Sequence, residues 1–194
     1  MLQVRKCAQV CVEKVFKSLH NPIVKKNSSK AVLFMYRKYM PLSEQLNTVK
    51  LSDAQQSKIQ SESQHLEALH MFNVLTLLVP SLSENVRVKI ISGVYKLLGC
   101  SVSSCTGHIL RLLEALFEYL KVEHLVSHSD SIFSVLTSYI STDNNPIDTV
   151  ISASILLRNG LKRLQDAHPS LWIKFLPSIL TSLAGAYACE HMNL

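Results

Sequence analysis

Apolar residues recur along this chain at helical spacing, in stretches separated by prolines and short polar turns. From Val4 to Leu19 the apolar positions are Val4, Ala8, Val12, Val15, Phe16 and Leu19, while Lys6, Glu13, Lys14 and Lys17 fall off that stripe. Spacing by threes and fours puts such a set on one helix face. His20-Asn21-Pro22 closes the helix, because proline pushes the preceding residue out of the helical region. A second helix is expected from Ser28 or Ser29, either of which suits an N-cap, to Met40, with Pro41 ending or kinking it. Residues 43–64 are rich in Ser and Gln and poor in large apolar groups. They read as an exposed loop or a weakly packed helix between repeats. Leu66 to Val79 is apolar on nearly every face and is expected to be buried between neighbours.

Beyond Pro80, Ser83 or Asn85 suits the cap of a helix that places Val86, Ile90, Ile91, Val94, Leu97 and Leu98 on one side. Gly99 is suited to its end. Four more helices follow. The first starts at Ser103 or Ser104, with Ile109, Leu112, Leu113, Leu116, Phe117 and Leu120 as its core face and Arg111, Glu114, Glu118 and Lys121 mainly outside. The next spans about Ser131 to Ile140. A third begins after the turn 142–146, with Asn145 as N-cap and Pro146 at the first helical position, and carries Ile147, Val150, Ile151, Leu157 and Leu161. The last opens at His168-Pro169 and carries Leu171, Trp172, Phe175, Leu176, Ile179, Leu180 and Leu183, with Pro177 expected to kink or divide it. No stretch alternates as a strand does, so the fold class expected is all-α.

An internal echo organises these helices. Val4-Arg5 aligns with Val86-Arg87, Ala8 with Ile90, Val12 with Val94, Val15 with Leu97 and Phe16 with Leu98, at an offset of 82 residues. That is close to two helical-pair units of about 41 residues. Leu78-Val79-Pro80-Ser81-Leu82 likewise echoes Phe175-Leu176-Pro177-Ser178-Ile179. One residue turns a helix by about 100°, so Arg87, and Arg5 with it, lies within the apolar sector. A guanidinium there needs a neighbouring acid or helix-end carbonyls, which makes both arginines candidate inter-repeat brackets.

Composition narrows the function. Hydrophobic content of 47% with charged content of 18% fits a folded chain. Five glycines disfavour phosphate-cradling loops, and no nucleophile elbow or dinucleotide fingerprint is present. Five cysteines, an odd number mostly within helical patterns, suit buried thiols in a reducing compartment. The N-terminus lacks the apolar run of a signal peptide, and the run Val74 to Val79 is too short to span a bilayer. A soluble intracellular protein is therefore expected. Neither end of the chain carries a polar capping unit, which fits a piece of a longer solenoid or a short chain with frayed ends.

The net charge of +6 concentrates at one end. Between Val4 and Lys38 the basic residues Arg5, Lys6, Lys14, Lys17, Lys25, Lys26, Lys30, Arg37 and Lys38 face a single acid, Glu13. Lys6, Lys14, Lys17, Lys25, Lys26, Lys30, Arg37 and Lys38 are the candidates for phosphate contact, with Tyr36 and Tyr39 as possible stacking partners or core residues. Other chemistry is thin. His124 and His128 with Asp130 are too few for a metal site and sit in what reads as a turn. Cys100, Cys105 and His108 match no metal spacing. Cys7 and Cys11 lack an activating base. Glu114 and Glu118 read as a solvated pair. No catalytic residue, metal or cofactor is expected.

Helices of this kind, with Val-Arg opening the second helix of a pair and a proline in the first, resemble HEAT repeats. The fold expected is a HEAT/armadillo-like α-solenoid of stacked antiparallel helix pairs, forming one helical-repeat region over 1–194. The acid that HEAT repeats carry shortly before Val-Arg has no clear counterpart here; Ser81, Ser83 and Glu84 are the nearby candidates. The segments VRKCAQVCVEKVFKSL, HLEALHMFNVLTLLVPSLSENVRVKI and LPSILTSLAGAYAC, with the Ser/Gln-rich spacer, resemble the N-terminal helical-repeat region of the ribosomal RNA-processing protein twelve-like family, particularly its plant members. That resemblance implies a nuclear or nucleolar factor in pre-ribosome maturation or export, binding pre-ribosomal RNA and assembly proteins without catalysis. A protein-only adaptor, such as a nuclear transport solenoid, is the alternative.

Overall fold

The computed structural model of the chain describes residues 2–45, 56–99, 105–141 and 145–192. Regular structure among them is helical throughout: α1 (Leu2–Lys17), α2 (Pro22–Gln45), α3 (Gln56–Leu78), a 3-10 turn (Val79–Ser81), α4 (Glu84–Gly99), α5 (Thr106–Tyr119), α6 (Val122–Ser141), α7 (Ile147–Ala167) and α8 (Pro169–Met192). The fold is all-α. None of these helices is long and apolar enough to cross a membrane. The chain divides into two compact units, Met1–Tyr119 and Leu120–Leu194.

In the first unit α3 is the spine, packing on α1, α2 and α5, while α4 packs on α2 and α5. Phe72 and Leu75 of α3, Ile90, Ile91 and Val94 of α4, and Leu112, Leu113 and Leu116 of α5 are completely buried. These are the large apolar groups whose removal from water drives the packing, at about 25 cal/mol per Å². The α4 and α5 core faces coincide with those expected from periodicity. Both α1 and α4 run 16 residues, starting at residues 2 and 84, the offset of the sequence echo.

Several boundaries differ from expectation. Helix α2 begins at Pro22, not at Ser28 or Ser29. Asn21 is its cap, its Oδ1 accepting the backbone N–H of Ile23 at 2.9 Å and of Val24 at 3.4 Å. Proline at the first helical position has no N–H to leave unpaired, so Asn21-Pro22 opens α2, while α1 has already ended at Lys17. Ser29 is buried inside α2, donating to the Lys25 carbonyl and accepting the Ser83 N–H at the head of α4, at 3.1 Å. Helix α2 continues past Pro41 to Gln45. Of the Ser/Gln-rich segment, 46–55 lies outside the described residues and 56–64 forms the first turns of α3. Gln, Glu and Lys are good helix formers, so a polar composition does not forbid this. On α3 itself, Leu66 and Leu77 are exposed, so the helix is covered on one side and not on all.

Helix α1 is the larger departure. None of its described side chains is buried, and Val4 is 72% exposed where its counterpart Val86 is 5%. The helix packs on α3, and that contact covers only part of its apolar surface. Cys7 and Cys11 are exposed thiols, against the expectation of burial; Cys105 is buried.

In the second unit α6 packs on both α7 and α8, which also pack on each other. Helix α6 starts at Val122, so the stretch read as a turn is helical. Buried Leu125 and Ser129 extend the face of Ile132, Phe133 and Leu136 by two turns, and Ser129 donates its hydroxyl to the Val126 carbonyl. Phe133 meets Phe175 edge to face at 4.9 Å. Helix α7 is capped at Pro146, while the Asn145 amide donates to the Tyr139 carbonyl of α6 instead. Its buried face is Ala153, Leu156, Leu157, Gly160 and Leu164; Ile147 and Ile151 are exposed. On the expected face of α8, among the described side chains, Phe175 and Ile179 are buried, Leu171 is half-buried, and Leu176, Leu180 and Leu183 are exposed. Pro177 stays within a single helix. Its segment is therefore not equivalent to 78–82, where Leu82 turns extended after the 3-10 turn and Ser83, just before α4, accepts the backbone N–H groups of Val86 and Arg87.

Candidate nucleic-acid interface

The basic residues expected to meet phosphate lie on α1 and α2. Lys14 and Lys17 are exposed on α1, and Lys17 is paired with Glu13 one turn earlier. An exposed pair of this kind contributes about 0.5 kcal/mol at most and leaves the lysine open to a competing anion. Arg5 and Lys6 on α1, and Lys38 and Tyr39 on α2, have side chains outside the described set.

Helix α2 has three sides. Ser29, Val32, Leu33 and Tyr36 are buried. Ser28, Ala31 and Met35 line a groove. The third side carries Lys26, Lys30 and Arg37 with Ile23 and Phe34, all exposed. At 3.6 residues per turn these five fall within about 80° of arc, and Lys26 to Arg37 spans about 16 Å of helix. Lys25 falls among the packed residues and is half-buried. Tyr36 is not available for stacking: it is 2% exposed, and its hydroxyl donates to the Ile90 carbonyl of α4 at 3.5 Å. Among the described side chains of α2 the exposed aromatic is Phe34, at 72%. A helix phased from Pro22 places it beside Lys30.

The groove, about 650 Å³, is walled by Ala8, Val12 and Phe16 of α1, Ala31, Val32 and Met35 of α2, and Met71, Val74 and Leu78 of α3 and its end. Its polar groups are Gln9, Ser28, Glu67 and His70, with Gln9 Nε2 at 3.2 Å from His70 Nδ1.

Arg87 is not part of this surface. Its side chain is 14% exposed, and its Nε donates to the Val79 carbonyl at 2.9 Å, Nη2 to Pro80 at 3.1 Å and Nη1 to Tyr119 at 2.6 Å. Nη1 also meets Glu84 Oε2 at 3.1 Å, and the guanidinium stands 6.0 Å from the Tyr119 ring centroid. One residue thus joins the end of α3, the start of α4 and the carbonyl end of α5. Helix ends leave such carbonyls without helical partners, and a cation suits them. Arg163, on α7, was not singled out by the sequence; its Nη2 donates to the Leu120 carbonyl at 2.7 Å.

The remaining candidates are dispersed. His124, His128 and Asp130 lie on α6, and Glu114 and Glu118 are exposed on α5. Cys100 lies outside the described residues. Among the described residues no three His, Cys, Asp or Glu side chains are grouped to hold a metal.

Paired helices joined by short turns, with Val86-Arg87 at the head of the second helix and its arginine bracketing helix ends, define a helical-repeat protein of the HEAT class. The family model for RRP12-like N-terminal HEAT repeats matches residues 2–124, and the chain belongs to that family. No curated protein and no solved structure matches the chain.

Proposed function

We propose that this chain is a non-enzymatic helical scaffold of ribosome biogenesis, supporting pre-rRNA processing or the maturation and export of pre-ribosomal particles in the nucleus and nucleolus by binding RNA and protein. The family supports the setting, and one observation carries the RNA contact: Lys14, Lys26, Lys30 and Arg37 are exposed on the first two helices, where Glu13 is the only acid between Val4 and Lys38. Cations arrayed on a rigid helix displace counterions from a phosphate backbone, so affinity falls steeply with salt. Lys6, Lys17, Lys25 and Lys38 add to the field. Titration of a labelled pre-ribosomal RNA segment at low salt tests this, with Lys26→Glu expected to weaken binding. Absence of any affinity at low salt would remove RNA from the function.

A protein-only adaptor, of the nuclear-transport kind, is the second reading, and the groove between α1, α2 and α3 favours it. Apolar walls with a few polar groups suit an amphipathic helix laid into the groove. Partner capture that survives nuclease treatment would select that reading.

A further inference from the structure

We infer that the exposed face of α2 is a site for unpaired RNA, with Phe34 stacking on a base while Lys26, Lys30 and Arg37 hold the flanking phosphates. This inference rests on the proposed RNA-binding function and specifies which RNA it takes. Phe34 is 72% exposed on a helix whose neighbouring residues Leu33 and Tyr36 are buried. It lies within the same arc as the three cations, between Lys30 and Arg37, about 6 Å along the axis from one and about 4.5 Å from the other. Neither the groove nor the α2 packing uses it.

The choice of ligand follows from the chemistry. A duplex hides the faces of its bases and offers an aromatic side chain nothing to stack on, whereas unpaired bases stack on any exposed ring. Cations alone would serve any polyanion. Cations with a ring between them favour a strand whose bases are open. An acidic protein segment would satisfy the lysines but leave the ring's flat face unused.

The test compares fluorescence-anisotropy titrations of the full chain with a single-stranded oligouridylate and with an RNA duplex of equal charge. Phe34→Ala is expected to weaken single-strand binding about fivefold or more, the scale of one lost stack, and to leave duplex binding unchanged. Phe34→Trp is expected to retain single-strand affinity and Phe34→Leu to lose it, which separates stacking from simple apolar contact. Lys26→Glu with Lys30→Glu should weaken both RNAs. Circular dichroism confirms that each variant keeps its helices; an exposed side chain gives little reason for unfolding. Equal single-strand affinity of Phe34→Ala and the parent, or tighter binding of duplex than of single strand, would overturn the inference while leaving RNA binding itself intact. Binding of neither RNA, with or without binding of an acidic polyglutamate peptide, would instead remove the RNA function on which it rests.

Discussion

A single guanidinium does much of the joining in the first unit. Arg87 gives hydrogen bonds to Val79, Pro80 and Tyr119 carbonyls and to the Glu84 carboxylate. Replacing it removes the side-chain donor from carbonyls at two helix ends and breaks the ion pair with half-buried Glu84. Arg87→Met is expected to destabilise the chain by about 3 kcal/mol, read from the midpoint of urea unfolding followed by circular dichroism. Arg87→Lys keeps the charge but not the fork and should lose about half as much; an unchanged midpoint in Arg87→Met would mean these bonds add nothing net. Ser29 offers a smaller case. Its hydroxyl accepts the Ser83 N–H, one of the donors that the head of α4 cannot satisfy internally. Ser29→Ala should cost about 1 kcal/mol in the same experiment, and a stabilised variant would contradict the bond's role. The sequence placed Arg87 in the apolar sector from helix phase alone. It marked Ser29 as a cap because Ser is a common cap, and the pairing with Ser83 depends on tertiary contact that no local pattern encodes.

At the scale of the element, helix existence was legible and helix rotation was not always so. Large apolar residues set the expected stripe of α7 on Ile147, Val150, Ile151, Leu157 and Leu161. The buried face instead lies about 100° from it and includes the small residues Ala153 and Gly160. A stripe scored by apolar bulk cannot register a face made partly of small residues. Leu157→Ala should therefore cost about 2–4 kcal/mol, while Ile151→Ala, at a 50% exposed position, should stay below about 1 kcal/mol. Equal costs in thermal unfolding would restore the original stripe. The start of α2 shows the same limit in its effect on the site. A helix begun at Ser28 leaves Lys26 outside it with no phase. Begun at Pro22, it puts Lys26, Lys30 and Arg37 on one face and separates them from half-buried Lys25. The sequence offers Tyr36 and Tyr39 as stacking partners or core residues. Burial, which sequence adjacency does not give, makes Tyr36 a core residue and leaves Phe34 exposed.

For the whole molecule, the charge excess and the family give the same direction to the function. The matched HEAT repeats span residues 2–124 and so include the helices that carry the exposed cations. The basic excess was visible in the sequence as a count. The structure sorts it into lysines engaged locally, such as Lys17, and a face of α2 that presents three cations together. The salt dependence of single-stranded RNA binding tests that assignment most directly. With Lys26, Lys30 and Arg37 each engaging a phosphate, log K against log salt should fall with a slope of about −2 or steeper. The Lys26→Glu, Lys30→Glu, Arg37→Glu triple variant should lose more than about tenfold in affinity and flatten that slope. A triple variant that binds as tightly as the parent, with the same slope, would contradict the assignment of this face.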